Sequence, residues 1–190
     1  MPGLRSADQV LANELKEIYS AERQLTRTLS RLAKKASSER LREMLDQRRE
    51  QGTMLIERLD DVFEEMQLSK GRPKNPAAEG LLDDVTHHLE MLDDEKLVDP
   101  VLLADTQKIE HYCIAAWGTA RSLGRLLEQD KLVDAMEQVL EEGKRFDEEL
   151  TKLAEEEVNP RMLGDEEEGE DNEGENNGGG RKRSSRSQKR

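Results

Sequence analysis

A chain of 190 residues that is 34% apolar, 38% charged and carries only five Phe, Tyr and Trp residues is poorly suited to a β-sandwich. It suits helices packed through Leu, Ala and Met beneath a charged surface. The formal net charge of −13 argues against an overall nucleic-acid footprint, and the length fits one domain with an appendage. A single cysteine cannot form an intramolecular disulfide. The stretch from Met1 to Asp8 has no apolar leader, and no apolar run reaches bilayer length, so the expectation is a cytoplasmic protein that does not enter a membrane.

Ser6-Ala7-Asp8-Gln9 reads as a capping box that opens a helix. Leu11, Leu15, Ile18, Glu22, Leu25, Leu29 and Leu32 then recur at three- and four-residue steps, ending near Lys34-Lys35, so one apolar stripe contains a carboxylate. After Ser37-Ser38 a second stripe runs through Leu41, Leu45, Arg48, Gly52, Leu55, Leu59, Val62 and Met66. The short connection predicts an antiparallel hairpin that brings Arg48 and Gln51 opposite Glu22.

The Gly- and Pro-containing segment from Ser69 to Pro76 predicts a loop, followed by a shorter helix over about residues 77–93 presenting Leu81, Leu82, Val85, Leu89 and Leu92. Asp99-Pro100 reads as an N-cap followed by proline at the first helical position. The fourth helix carries Leu103, Thr106, Glu110, Cys113, Trp117, Ala120, Leu123 and Leu127 on core-facing rows. A fifth, with Asp130 as its expected cap, carries Leu132, Met136, Val139, Gly143, Phe146, Leu150 and Leu153, with Asp147 at the stripe's edge, and stops before Asn159-Pro160.

The fold class expected is therefore all-α: four long helices and a short crossover helix in a domain over 6–160, with a tail over 161–190. That tail is acidic and then basic, with eight carboxylates in 165–175 and six basic residues in 181–190. Such blocks bury too little apolar surface to offset their ordering entropy, so disorder is expected. Arg181, Lys182, Arg183 and Arg186 make the tail the one place where nucleic acid or another anion would bind. Attraction to the acidic block or to the bundle, which keeps a net −11 without those blocks, is the simpler reading.

A buried carboxylate needs compensation. Glu22, Gln51 with Arg48, Glu110 with His111, and Asp147 fall near the midpoints of four long helices, the arrangement by which ferritin-like bundles hold two iron or manganese ions. Here a resemblance becomes specific. Ile18-Tyr19-Ser20-Ala21-Glu22-Arg23-Gln24-Leu25, Glu57-Arg58-Leu59 with Val62-Phe63-Glu64, Ala78-Glu79-Gly80-Leu81, Lys108-Ile109-Glu110-His111-Tyr112 through Gly118-Thr119, Asp147 and Val158-Asn159 resemble the YciF-like ferritin-like family of bacterial stress-associated proteins over about residues 8–159. The resemblance implies a five-helix ferritin-like fold, an interior like a di-metal carboxylate site, a homodimer and a link to stress responses, with no defined reaction. It matches Glu22, Glu110 and Asp147 to internal acidic positions and His111 to a neighbouring imidazole.

Gln51, Cys113 and Gly143 stand where that family usually has acidic residues, and Arg48 stands where it has a histidine. Two divalent cations need about four carboxylates plus nitrogen ligands, and Glu-x-x-His occurs nowhere in the chain; Asp84-Val85-Thr86-His87 is the nearest approach. The expectation is a degenerate site without a cofactor, in which Arg48 supplies the missing positive charge and Gln51 keeps the shape of Glu without its charge. Beside it stand simpler readings: carboxylates at stripe edges reaching solvent, His111 in an outer or inter-subunit hydrogen bond, Cys113 as a small hydrophobe, His87 and His88 on the surface, and Gly118 admitting a neighbouring helix beside Trp117. The function expected is a non-catalytic protein acting through protein contacts. A single-metal or weakly oxidase-like protein using Glu22, Glu110, His111 and Asp147 with iron or manganese is the alternative, and a tail-driven nucleic-acid binder is the third.

Overall fold

The computed structural model describes residues 3–71 and 74–163; the tail from 164 on, with Arg181, Lys182, Arg183 and Arg186, lies outside this range, while residues 161–163, expected to belong to the tail, continue the helical chain in a 3-10 turn. The described residues form helices α1 (Ala7–Leu32), α2 (Glu39–Glu65), α3 (Pro76–Glu90), α4 (Val98–Leu126) and α5 (Asp130–Leu153), and no strands. A 3-10 turn precedes α4, and α5 runs on through one π turn, Ala154–Val158, into the 3-10 turn Pro160–Leu163. None of the described helices is long and apolar enough to cross a membrane.

The helices α1 and α2 form one hairpin, α4 and α5 the other; α1 packs on α4 and α2 on α5, while α3 lies outside against α4 and α1. Two contacts fix the directions. Asp99, in the first turn of α4, meets Ser37 and Ser38 between α1 and α2, and Lys131 at the start of α5 meets Glu65 at the end of α2. The bundle is therefore up, down, down, up, and α3 with its flanking segments carries the chain back between two helices of the same direction.

The stripes read from the sequence become the core. Every named position of α1 from Leu11 to Leu32 is buried, as is every named position of α2 from Leu41 to Val62; Met66, just beyond α2, is half-buried. At the first helix start Ser6 Oγ accepts from Gln9 N at 3.3 Å, but Gln9 Oε1 accepts from Arg5 N rather than from Ser6. The short helix begins one residue earlier than expected and ends three earlier, with Pro76 in its first turn and Asn75 as its N-cap.

Two expected caps are different in the structure. Asp99 lies inside the first turn of α4 and does not cap it; its carboxylate turns away to accept from Ser37 N and Ser38 N, both at 2.8 Å. The residue type that serves a local cap here serves a contact across more than sixty residues. Asp130 is itself helical and follows the N-cap residue Gln129, whose side chain does not cap the helix but donates to Leu127 O at 2.9 Å.

Asp99→Ala should strip the buried Ser38 amide and the more exposed Ser37 amide of their acceptor and cost about 2 kcal/mol, whereas Asp130→Ala should cost less than about 1 kcal/mol, the scale of a helix-dipole contribution. Urea unfolding of the two variants measures the difference.

Candidate functional site: a guanidinium between two buried carboxylates

Glu22 on α1, Arg48 on α2 and Glu110 on α4 are each 1% exposed or less. Arg48 Nη2 donates to Glu22 Oε1 at 3.2 Å and Nη1 to Glu22 Oε2 at 3.3 Å, a two-pronged contact that satisfies both oxygens. Arg48 Nε donates to Glu110 Oε2 at 2.6 Å. The guanidinium carbon also lies 5.3 Å from the centre of the Trp117 ring, so the cation has carboxylates on its edges and an aromatic face over its plane.

Two glycines make the room. A Cβ on Gly52 would stand 2.8 Å from Thr26 Cγ2, 3.0 Å from Glu22 Oε2 and 3.1 Å from Arg48 Nη1. A Cβ on Gly143 would stand 2.6 Å from Trp117 Cζ3 and 2.7 Å from Glu110 Oε1. The close helix approach expected at Gly118 is absent, because a Cβ there would meet nothing within 4 Å. Trp117 instead requires Gly143, from the opposite helix of its hairpin.

Charge and burial set the protonation states. Burial costs Arg48 its hydration, but Glu110 and Glu22 together hold it well above the ordinary arginine range, so it stays a cation. Burial pushes Glu110 above the usual carboxylate range; Arg48 pulls it down without cancelling that, and Glu22 and Asp147 add to the upward push. Its second oxygen, Oε1, has no hydrogen-bond partner. Burial, with Glu22 adding to it, also pushes the Cys113 thiol well up, which leaves a neutral and unreactive sulfur.

The remaining predicted site residues are not drawn into this cluster. Asp147 is partly exposed and pairs with His111, Nε2 to Oδ2 at 3.2 Å, and His111 is 68% exposed in its side chain. Gln107 Nε2 joins the outer pair by donating to Thr151 Oγ1 at 2.9 Å and Asp147 Oδ1 at 3.4 Å. Gln51 is half-buried, outside the ion pairs. Among the described residues no three His, Cys, Asp or Glu side chains are gathered so as to hold a metal ion. The clefts of about 250 and 280 Å³ lie at the end of the bundle near Ser37 and Glu95, and no residue of the cluster lines either.

A second buried acid escaped the sequence reading. Asp105 is 3% exposed and takes Lys108 Nζ at 2.8 Å on one oxygen and His88 Nδ1 at 2.9 Å on the other. The only signal for it was its position two turns after the Asp99-Pro100 start. His88 is accordingly half-buried, while His87 is exposed as expected.

Arg48→Met should cost about 3–5 kcal/mol, because it strands two buried carboxylates. Those carboxylates then hold protons in the folded state that they lose on unfolding, so the deficit should be small near pH 4 and grow toward pH 8 in urea titrations. Glu110 in the native chain follows the same sign on a smaller scale. Its folded value is raised, so stability falls as pH rises from the ordinary 4.5 through the raised value, and Glu110→Gln should flatten that stretch of the profile. Gly143→Ala should cost about 1–3 kcal/mol, since the Trp117 ring must move to admit a methyl group.

Comparison with known proteins places the chain in a family. Residues 6–163 match the family described as Domain of unknown function (DUF892). Over 159 residues, 83% of this chain and 96% of the relative, the sequence is 36% identical to Protein YciF of Escherichia coli (strain K12). The crystal structure of the E. coli stress protein YciF superposes with a TM-score of 0.78 at 37% identity, over 82% of this chain and 99% of that one. YcfI from Rhodopseudomonas palustris, for which a structural role has been suggested, superposes with a TM-score of 0.74 at 28% identity, over 77% and 94%. With a family match across the whole bundle and a relative aligned almost end to end, the chain belongs to the YciF-like DUF892 family.

Proposed function

We propose that this protein is a non-catalytic, ferritin-like helical protein that acts through contacts with other proteins, as a homodimer in the cytoplasm and in a stress-related role, and that its di-metal site has degenerated into an ion-paired core. The observation that carries this reading is the Arg48 guanidinium at mid-height, within 2.6–3.3 Å of Glu22 and Glu110. A di-metal reading needs those same carboxylate oxygens for metal.

The residues present do not fit a pair of divalent cations. The oxygens of Glu22 are both engaged by Arg48, and a permanent cation beside them repels a second one. Cys113 and Gly143 bring no carboxylate, and the thiol is held neutral by burial. His111 and Asp147 are engaged with each other nearer the surface. Membership of a family whose E. coli relative is described as a stress protein supports the stress-related part of the reading, and the suggested structural role of the R. palustris relative agrees with a non-catalytic one.

The untagged protein should contain far less than one equivalent of iron, manganese or zinc by elemental analysis, and its melting temperature should be the same with and without a chelator. Stoichiometric metal lost to the chelator together with a lowered melting temperature would replace this reading with the single-metal one. Sedimentation equilibrium should give twice the chain mass.

A further inference from the structure

The two carboxylates around Arg48 come from helices other than its own, Glu22 from α1 and Glu110 from α4, and each belongs to a long buried stripe. The two helices that carry them also pack against each other. What the carboxylates enclose has the outline of a planar cation. Glu22 presents both oxygens to the two terminal nitrogens, at 3.2 and 3.3 Å, Glu110 takes the third edge at 2.6 Å, and Trp117 covers the face at 5.3 Å. A spherical metal ion asks for ligands converging on a point, whereas these are spread along the rim of a flat group. Gly52 leaves free the space beside Arg48 Nη1 and Glu22 Oε2 that a methyl group would crowd. The second oxygen of Glu110 is buried and unpartnered, on the Gly143 side of the site.

We infer that Glu22, Glu110 and Trp117 form a guanidinium-binding site which this chain fills with its own Arg48, and which takes up a free alkylguanidinium when that side chain is cut back. This deepens the reading of the core as compensated by an organic cation. It adds a ligand class and a geometry that the metal content alone does not test.

Arg48→Ala removes the atoms of ethylguanidinium from the arginine side chain, so that compound is the probe. The variant is refolded and melted in millimolar ethylguanidinium chloride, with ethylammonium chloride, N-ethylurea, sodium chloride and manganese chloride in parallel. A saturable rise of about 2–6 °C is expected with ethylguanidinium alone, while the native protein gains nothing. Adding Glu22→Gln to Arg48→Ala should abolish the rise. Equal rises with ethylammonium or sodium chloride would mean general charge compensation and would overturn the inference, as would no saturable rise at all.

A larger rise with manganese would overturn it too, and would count against the proposed function; failed rescue of the variant, with the native protein found metal-free, would overturn the inference and leave that function standing. If Arg48→Ala does not fold in plain buffer, the readout becomes helical circular dichroism. Recovery on refolding with ethylguanidinium supports the site, and failure to recover overturns it. Arg48→Lys gives a second check, since a lysine variant as stable as the native chain would show that any cation serves.

Discussion

The bundle is arranged around one costly act, the removal of a guanidinium and two carboxylates from water. Such a cluster survives inside a protein only when geometry returns most of the lost hydration. Here it does so unequally. Glu22 has both oxygens satisfied, whereas Glu110 has one oxygen bonded and one facing closely packed backbone and ring. At Glu110 burial outweighs the pull of Arg48, and Glu22 and Asp147 add smaller pushes in the same upward direction.

The surrounding packing accommodates that cluster. Arg48 and Trp117 are the two bulkiest fully buried side chains, and both stand at the level where Gly52 and Gly143 withhold volume. Large groups on α2 and α4 are matched by missing ones on α2 and α5, so the total filling is preserved while its chemistry differs. The ion pairs also tie α1, α2 and α4 together at one height. A slip of any of them by one turn would leave a charge stranded.

Much of this was legible from residue spacing. Glu22 and Arg48 fell on core-facing steps of two stripes joined by a short turn, which was enough to oppose them. Glu110 fell on a third. Periodicity reads a helix's buried face but not which neighbouring atoms that face meets, so the Trp117–Gly143 fit was missed and Gly118 was credited in its place. Asp99 shows a different limit: an aspartate before proline at a helix start has the local signature of a cap, and only tertiary structure reveals that its carboxylate serves the α1–α2 turn. Asp105 was hidden because its burial depends on what covers it. His111 and Asp147 were adjacent to the right residues in sequence or register, yet each lies on the outward side of its helix pair.

The short helix α3 has its own standing in this design. It fully buries only Ala78 and Val85 and is fastened near its two ends. Asn75 Nδ2 donates to Glu17 O at 2.9 Å and to Tyr112 Oη at 2.7 Å, and His88 pairs with Asp105. None of these fastenings touches the Arg48 cluster. Few buried side chains and fastenings near its ends are the features that mark a cooperative unit of lower opening free energy than the long helices beneath it. The return crossing thus buries less than any of the four long helices, and it covers the face of α4 and α1 while adding Val85 to the core they share.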